Sequence, residues 1–503
     1  MLLLENSLLF RGGGEPPEAG SLLIDGGRIA AVGEVSAPAG CPSIDCSGLA
    51  VAPGFIDLHS HSDLQVLEDR MEKVKQGVTT EVVGNCGFSP FPHAGDPAPL
   101  REFGAGILGR PDGWGWATAR DYLDEIERRA TVLHVAPLAG HGSLRIAVVG
   151  LRQAPLTSTE LDRAAALLED ALDAGCPGFS TGLMYAPGSA APRDELVRLC
   201  GVVARKGKLY ATHMRSYAAG LLEAVREQLD LARAAGCRLQ ISHLQAAGRA
   251  NWSRQQQALD EIETARREGI DVEFDIYPYQ CASTVLTQLL PQWALDGGTG
   301  ALLARLRDPG ERGRMAAEMK PPRTPFFGDV TISSVESAAN APLIGRTVEE
   351  IAALRGADPA ETVFDLLIEE HAAVNMITFN QSEENLRQLI THPLCSVISD
   401  GFYVKGRPHP RLHGTFPELL GSMARERRWL TLSSAIEKIT SHPAARLGLH
   451  DRGRLEAGRL ADVTVFDPAR IASRATYDTP AADPVGIAAV IREGRVVWRG
   501  GLN

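Results

Sequence analysis

Residues 82–90 read VVGNCGFSP. A strand-like run, Glu81-Val82-Val83, stops at Gly84, and Cys86 stands between Asn85 and Gly87. An inert core cysteine needs no flanking glycines. A metal ligand does, because the backbone must approach closely and leave open space. A thiol displayed at the end of a strand implies a fold that carries its chemistry on strand ends, so the other strand ends decide the architecture.

Candidate strands end at Leu58, Val83, Ala136, Phe179, Tyr210, Ile241, Phe274 and Ile398. Helical periodicity follows most of them, as in 159–174, 220–235 and 254–268. Eight such units predict an α/β fold, a (β/α)8 TIM barrel over residues 53–446. The Pro- and Gly-rich stretch at about 280–341, between strands seven and eight, predicts an inserted subdomain. Short apolar runs separated by turn signals occupy both chain ends. Residues 21–33, SLLIDGGRIAAVG, read as a hairpin with positive φ at the glycines, and 461–466 and 490–498 repeat the style. Residues 1–52 and 447–503 are therefore expected to pair into one small β-sandwich.

Bulk properties narrow the function. The chain has 503 residues, 44% hydrophobic and 22% charged, as in ordinary globular proteins. The net charge of −11 and the absence of a Lys/Arg run argue against nucleic acid or an anionic membrane as partner. No apolar run reaches the ~18 residues of a membrane span. The start, MLLLENSLLFRGG, is broken by Glu5 and Asn6 and reads as a strand rather than a signal peptide. The eight cysteines lack disulfide-scaffold spacing, which points to a reduced, cytoplasmic setting.

Strand one ends His59-Ser60-His61, and in a strand residues i and i+2 face the same side. Strand two leads to Cys86, strand five to His213, strand six to His243 and strand eight to Asp400. A lone strand histidine is more often a packed core residue, and a lone cysteine is usually inert. Six donors ordered around one barrel rim are a different matter. Imidazole, thiolate and carboxylate together suit Zn²⁺. His141, in AGHGSLR at the end of strand three, reads as a contact near the site or to substrate. His409 and His413, in RPHPRLHG, read as loop residues, and His93, His134, His371, His392, His442 and His450 as structural or surface residues.

With these residues in place the chain resembles the amidohydrolase superfamily, and within it the N-acyl-D-amino-acid deacylases. PGFIDLHSHSD, GVTTEVVGNCG, STGLMYAPG, YATHMRS, ISHLQAAG, DIYPYQCAST, the SDG and RPHPRLHGTFPELLG segments, and GRLEAGRLADVTVFDP carry the likeness nearly end to end. Many superfamily relatives bridge two metals with a lysine after strand four. Here that strand ends Phe179-Ser180-Thr181, and the cysteine after strand two points to the deacylase subgroup.

The resemblance implies a tight zinc held by Cys86, His213 and His243, and a second, weaker metal position at His59, His61 and Asp400. Asp400 doubles as general base and acid. It implies a small-molecule N-acyl amino acid as substrate, contacted by Tyr185, Tyr277, Ser283 and Arg411. One position departs: established members commonly carry lysine two residues after the strand-six histidine, and here Gln245 offers a neutral amide. The rival readings are a cyclic-amide hydrolase, a non-catalytic barrel and, third, a deaminase. Cys86 and the PHPR loop argue against the first; retention of all six donors argues against the second; no nucleobase-pocket feature favours the third.

Overall fold

The computed structural model describes residues 1–500 apart from 37, 69, 110–112 and 322–323. Barrel strand one is Phe55–Asp57 and strand two Val78–Val83. Strand three runs His134–Pro137 and resumes as Ala139–Gly140. Strands four to eight are Gly178–Gly182, Leu209–His213, Arg238–Ile241, Val272–Ile276 and Cys395–Val397. Each pairs in parallel with the next. The ring closes where Ser60 and Gly401 form a parallel bridge between the ends of strands one and eight. A (β/α)8 barrel is thus confirmed, with four strand ends shifted by two residues or more; strand three resumes past Ala136 and ends at Gly140. Strands four, five and seven run two or three residues past Phe179, Tyr210 and Phe274, so His213 lies on its strand rather than beyond it.

Local chemistry explains the outer helices. Ser158–Ala174 starts at a Thr157–Glu160 capping box and buries Ala164, Ala165, Leu168, Ala171 and Leu172, one stripe at helical spacing. Leu221–Ala235 and Gln255–Arg267 fall within two residues of their expected bounds.

The insertion differs from its expected extent. Cys281–Val285, Asn375–Phe379 and Val330–Ser334 form a three-stranded antiparallel sheet, with Asn375–Phe379 in the middle. Its own apolar core includes Leu286, Leu306, Ile332, Val363 and Phe364. The sheet therefore reaches Phe379, well beyond 341. The cause is periodicity: Pro359–Glu369, which buries Val363, Phe364, Leu366 and Leu367, reads like an outer barrel helix, so the pattern offers no boundary at 341.

Strands from both termini hydrogen-bond into one eight-stranded sheet, in which Ala50–Pro53 joins Leu2–Leu9 to Val463–Phe466. Gly26 and Gly27 turn the hairpin at φ 55° and 80°, as the sequence demanded. Among the described residues no helix is long and apolar enough to cross a membrane.

One buried ion pair braces the outer layer behind strands three and four. Arg145 Nη1 donates to both Glu195 oxygens at 2.5 and 2.6 Å, and His141 Nε2 lies 2.9 Å from Oε1. Burial alone would raise the Glu195 carboxyl, but His141 and Arg145 outweigh it and bring the pKa from 4.5 down to about 2. A depressed acid contributes stability above its unfolded pKa and loses it on acidification. Glu195→Gln should therefore cost about 3 kcal/mol at pH 7, leaving Arg145 buried and unpaired. In denaturant titrations that gap should close between about pH 4.5 and 2. A gap independent of pH would contradict this account.

Candidate metal centre

The barrel closure brings the site together. Asp400 N–H donates to the His59 carbonyl at 2.8 Å and His61 N–H to the Gly401 carbonyl at 2.9 Å. Strand one and strand eight thus present their side chains to one another. Cys86, His243 and Asp400 all adopt left-handed backbone, at φ 53°, 36° and 48°. That conformation is strained for residues with a Cβ, and it persists only where the surroundings fix it. Gly84 and Gly87 fix Cys86. A Cβ on Gly84 would sit 2.1 Å from the Leu138 carbonyl oxygen, and one on Gly87 2.8 Å from the Gly182 nitrogen. The Asp275 carboxylate fixes His243 by accepting its N–H at 2.7 Å.

The donor atoms converge. Cys86 Sγ lies 3.3 Å from His59 Nε2 and 3.4 Å from His243 Nε2. His213 Nδ1 is 3.1 Å from His243 Nε2. Asp400 Oδ1 is 3.4 Å from His59 Nε2 and 3.3 Å from His61 Nε2. Cys86, His213 and His243 offer ligand atoms all within 4.8 Å of one another; so do His59, His61 and Cys86, and His59, His243 and Asp400. His213 Nε2 and His61 Nδ1 are buried without a hydrogen-bond partner. Those nitrogens face away from the cluster; on its inner side His213 Nδ1 meets His243 Nε2 and His243 Nε2 meets the Cys86 sulfur, contacts between would-be ligands, and such a set fits a cation. Sulfur and nitrogen donors in a cramped buried cluster suit zinc rather than a hard, oxygen-seeking ion.

The electrostatics agree. Burial lowers the His213 pKa to about 3 and holds His243 well below its ordinary value, so both imidazoles stay neutral, the form that ligates. Burial pushes the Cys86 thiol up to about 11, so a nearby cation is what would make it a thiolate. Burial also pushes the Asp400 carboxyl up, but Arg411, then His61, outweigh it and hold it well below the usual carboxylate range.

A cavity of about 180 Å³ opens over this cluster. His61, Cys86, Tyr185, His213, His243, Gln245, Tyr277, Ser283, Asp400 and Arg411 all line it. His59 lies beneath, 1% exposed. Arg411 Nη1 is 2.9 Å from Asp400 Oδ2, and its Cζ stands 4.7 Å above the Tyr277 ring. Gln245 Nε2 donates to the Tyr277 hydroxyl at 2.9 Å. His141 is not brought to the cavity: it opens the helix His141–Val149 and its ring is spent on Glu195.

Two residues that the sequence reading did not single out belong here. Asp275 accepts from His243 N–H, and its Oδ1 lies 3.6 Å from His59 Nδ1. The same i, i+2 alternation that links His59 to His61 also links Asp275 to Tyr277. His409, read as a loop residue, is buried; its Nε2–H faces the Cys281 carbonyl at 3.0 Å and its Nδ1 accepts the Arg411 N–H at 3.1 Å. It sets the backbone that carries Arg411.

A closed parallel barrel with sulfur, imidazole and carboxylate gathered at its strand ends defines a metal-binding hydrolase scaffold. The chain belongs to the amidohydrolase family, whose model matches residues 43–498. It is 36% identical over 503 residues to an N-acyl-D-aspartate deacylase of Alcaligenes xylosoxydans xylosoxydans, spanning 99% of this chain and 92% of that one. It is 35% identical over 502 residues to a D-aminoacylase of the same organism, spanning 99% and 94%. The crystal structure of an N-acyl-D-glutamate deacylase from Bordetella bronchiseptica, complexed with zinc and a phosphonate mimic of the tetrahedral intermediate, superposes with a TM-score of 0.85 at 35% identity, covering 99% of this chain and 96% of that one.

Cys86, like His59 and His243, takes part in two of the three donor groups, and it brings the sulfur to both. Cys86→Ala should bind zinc at least about tenfold more weakly, measured by elemental analysis after dialysis against a competing chelator. Full zinc retention would contradict a role for the sulfur.

Proposed function

We propose that this chain is a zinc-dependent hydrolase of the amide bond in N-acyl-D-amino acids, releasing a carboxylic acid and a D-amino acid. Three things support it: the sulfur–imidazole donor set, the whole-length likeness to D-amino-acid deacylases, and above all the two-sided placement of Asp400. One carboxylate oxygen faces His59 and His61, and the other faces Arg411. The handedness rests on the relatives, and the geometry supplies the chemistry.

Cys86, His213 and His243 would hold the main zinc, with His59, His61 and Asp400 at a second position. Zinc, when bound, acidifies water and polarises an amide carbonyl. The protein supplies the rest. Asp400 accepts a proton from the attacking water at Oδ1. As the C–O bond forms and the C–N bond breaks, it returns that proton to the departing nitrogen. Arg411, stacked on Tyr277, clamps the substrate carboxylate, with the Ser283 carbonyl fixing its Nη2 at 3.2 Å. Gln245 holds the Tyr277 hydroxyl and adds no charge. Tyr185, its ring 4.8 Å from that of His213, stands where a hydroxyl can steady the developing oxyanion; such a donor is typically worth ~3 kcal/mol. The barrel with its insertion would form one catalytic unit and the terminal sheet a second. All eight cysteines are free, which supports a reducing, cytoplasmic setting.

Asp400→Asn should keep its zinc and lose at least ~100-fold in kcat; near-normal turnover would remove Asp400 from the proton path. A zinc-supplied panel of N-acetyl-D-, N-acetyl-L- and cyclic amides should give turnover on the D series, at least ~100-fold above the others. Preference for hydantoins or L substrates would overturn the assignment.

A further inference from the structure

A second cavity of about 160 Å³ adjoins the catalytic one, and Ile107, Tyr185 and Gln288 line both. Its wall is mainly apolar: Phe88, Phe103, Val285, Leu295 and Leu302. Phe88 and Phe103 stack at 4.3 Å, and the same apolar cluster includes Cys86, Ile107 and Tyr185. Hydrophobic surface thus runs unbroken from the proposed zinc ligand into this annex. Among the described residues lining it there is no lysine or arginine; its carboxylate, Glu102, accepts the Thr299 N–H at 2.8 Å.

The direction of the substrate follows from the groups around His61. The Phe402 ring lies on one side, 6.4 Å from His61 and 5.8 Å from the Arg411 guanidinium. The Phe88 ring lies 6.3 Å from His61 and 5.0 Å from Tyr185. The carboxylate clamp and the proton carrier, Arg411 and Asp400, belong to the first side. An amide whose nitrogen and carboxylate occupy that side, with its carbonyl over the donor cluster, must send its acyl chain past Tyr185. The strand Cys281–Val285 runs the same way. The Ser283 carbonyl holds Arg411, Thr284 Oγ1 meets the Tyr185 hydroxyl at 3.1 Å, and Val285 lines the annex.

We propose that this annex is an acyl-chain site and that the enzyme acts on N-acyl groups of about four to eight carbons in preference to acetyl. This rests on the deacylase reading above and extends it to the acyl half of the substrate. A carboxylate-bearing amino-acid side chain finds no lysine or arginine among the described residues of the annex, where His371 is the basic side chain, whereas a methylene chain meets its apolar wall. Each buried methylene is worth about fourfold in kcat/KM if its burial is complete.

The zinc-loaded enzyme should be assayed on acetyl, butanoyl, hexanoyl and octanoyl derivatives of one D-amino acid, and on N-acetyl derivatives of D-amino acids with side chains of increasing length. The acyl series should rise at least ~tenfold in kcat/KM from acetyl to hexanoyl. Val285→Trp, which fills the annex, should lower the hexanoyl-to-acetyl ratio at least ~fivefold. Leu302→Phe, from the opposite wall, should lower it as well if the first variant loses its zinc. A flat or falling acyl series, or a gain that follows the side chain alone, would overturn the acyl assignment while leaving deacylation intact. No turnover of any N-acyl-D-amino acid would overturn the deacylase reading and the annex with it.

Discussion

The site depends on the return of strand eight to strand one. Asp57, at the end of strand one, accepts the Ser399 N–H at 2.9 Å and the Ser399 hydroxyl at 2.5 Å. Lys73, itself 3% exposed, pairs with Asp57 at 2.5 Å and with Glu81 at 3.4 Å, and donates to Ser399. A buried charge cluster of this kind gains little net stability, because desolvation offsets the attraction. What it does is fix register. It leaves one alignment in which Ser60 meets Gly401, and that alignment sets the two imidazoles of strand one against Asp400. A slip of one residue would turn His59 and His61 to the other side.

On that frame the site is polarised. Asp400 is shared between the imidazoles and Arg411, which keeps it ionised although it is buried. Three of the six donors sit on left-handed backbone, a cost the chain meets with packed glycines and with backbone N–H groups of His243 and Asp400 donated to the Asp275 carboxylate and the His59 carbonyl. Rigid neighbours fix the strained backbone that carries these donors, and preorganised charge is what lowers barriers in such sites. The insertion adds the second half of the design. Its strand Cys281–Val285 lines the cavity above the donors, and its helix Gly298–Arg307 lines the second cavity beside it.

The barrel and the six donors were legible in the sequence for a physical reason. Period-two alternation and glycine breaks mark strand ends, and a barrel puts all its strand ends on one rim. Asp275 was harder to see, because an aspartate near a strand end reads as a turn former until the pairing with His243 is known. His409 was harder still, since its partners Cys281 and Arg411 meet it only through the tertiary fold. His141 misled because strand three breaks at Leu138 and the chain enters a helix at His141, which carries the ring away to Glu195. The insertion outran its expected end because Pro359–Glu369 carries an apolar stripe like those of the barrel helices.

The central claim is that a cation is held by the Cys86 sulfur together with the imidazoles of strands five and six. X-ray absorption at the zinc edge of the loaded protein tests it directly. The account predicts one sulfur neighbour at about 2.3 Å beside nitrogen or oxygen neighbours at about 2.0–2.1 Å. A shell of nitrogen and oxygen alone, with no sulfur, would contradict it.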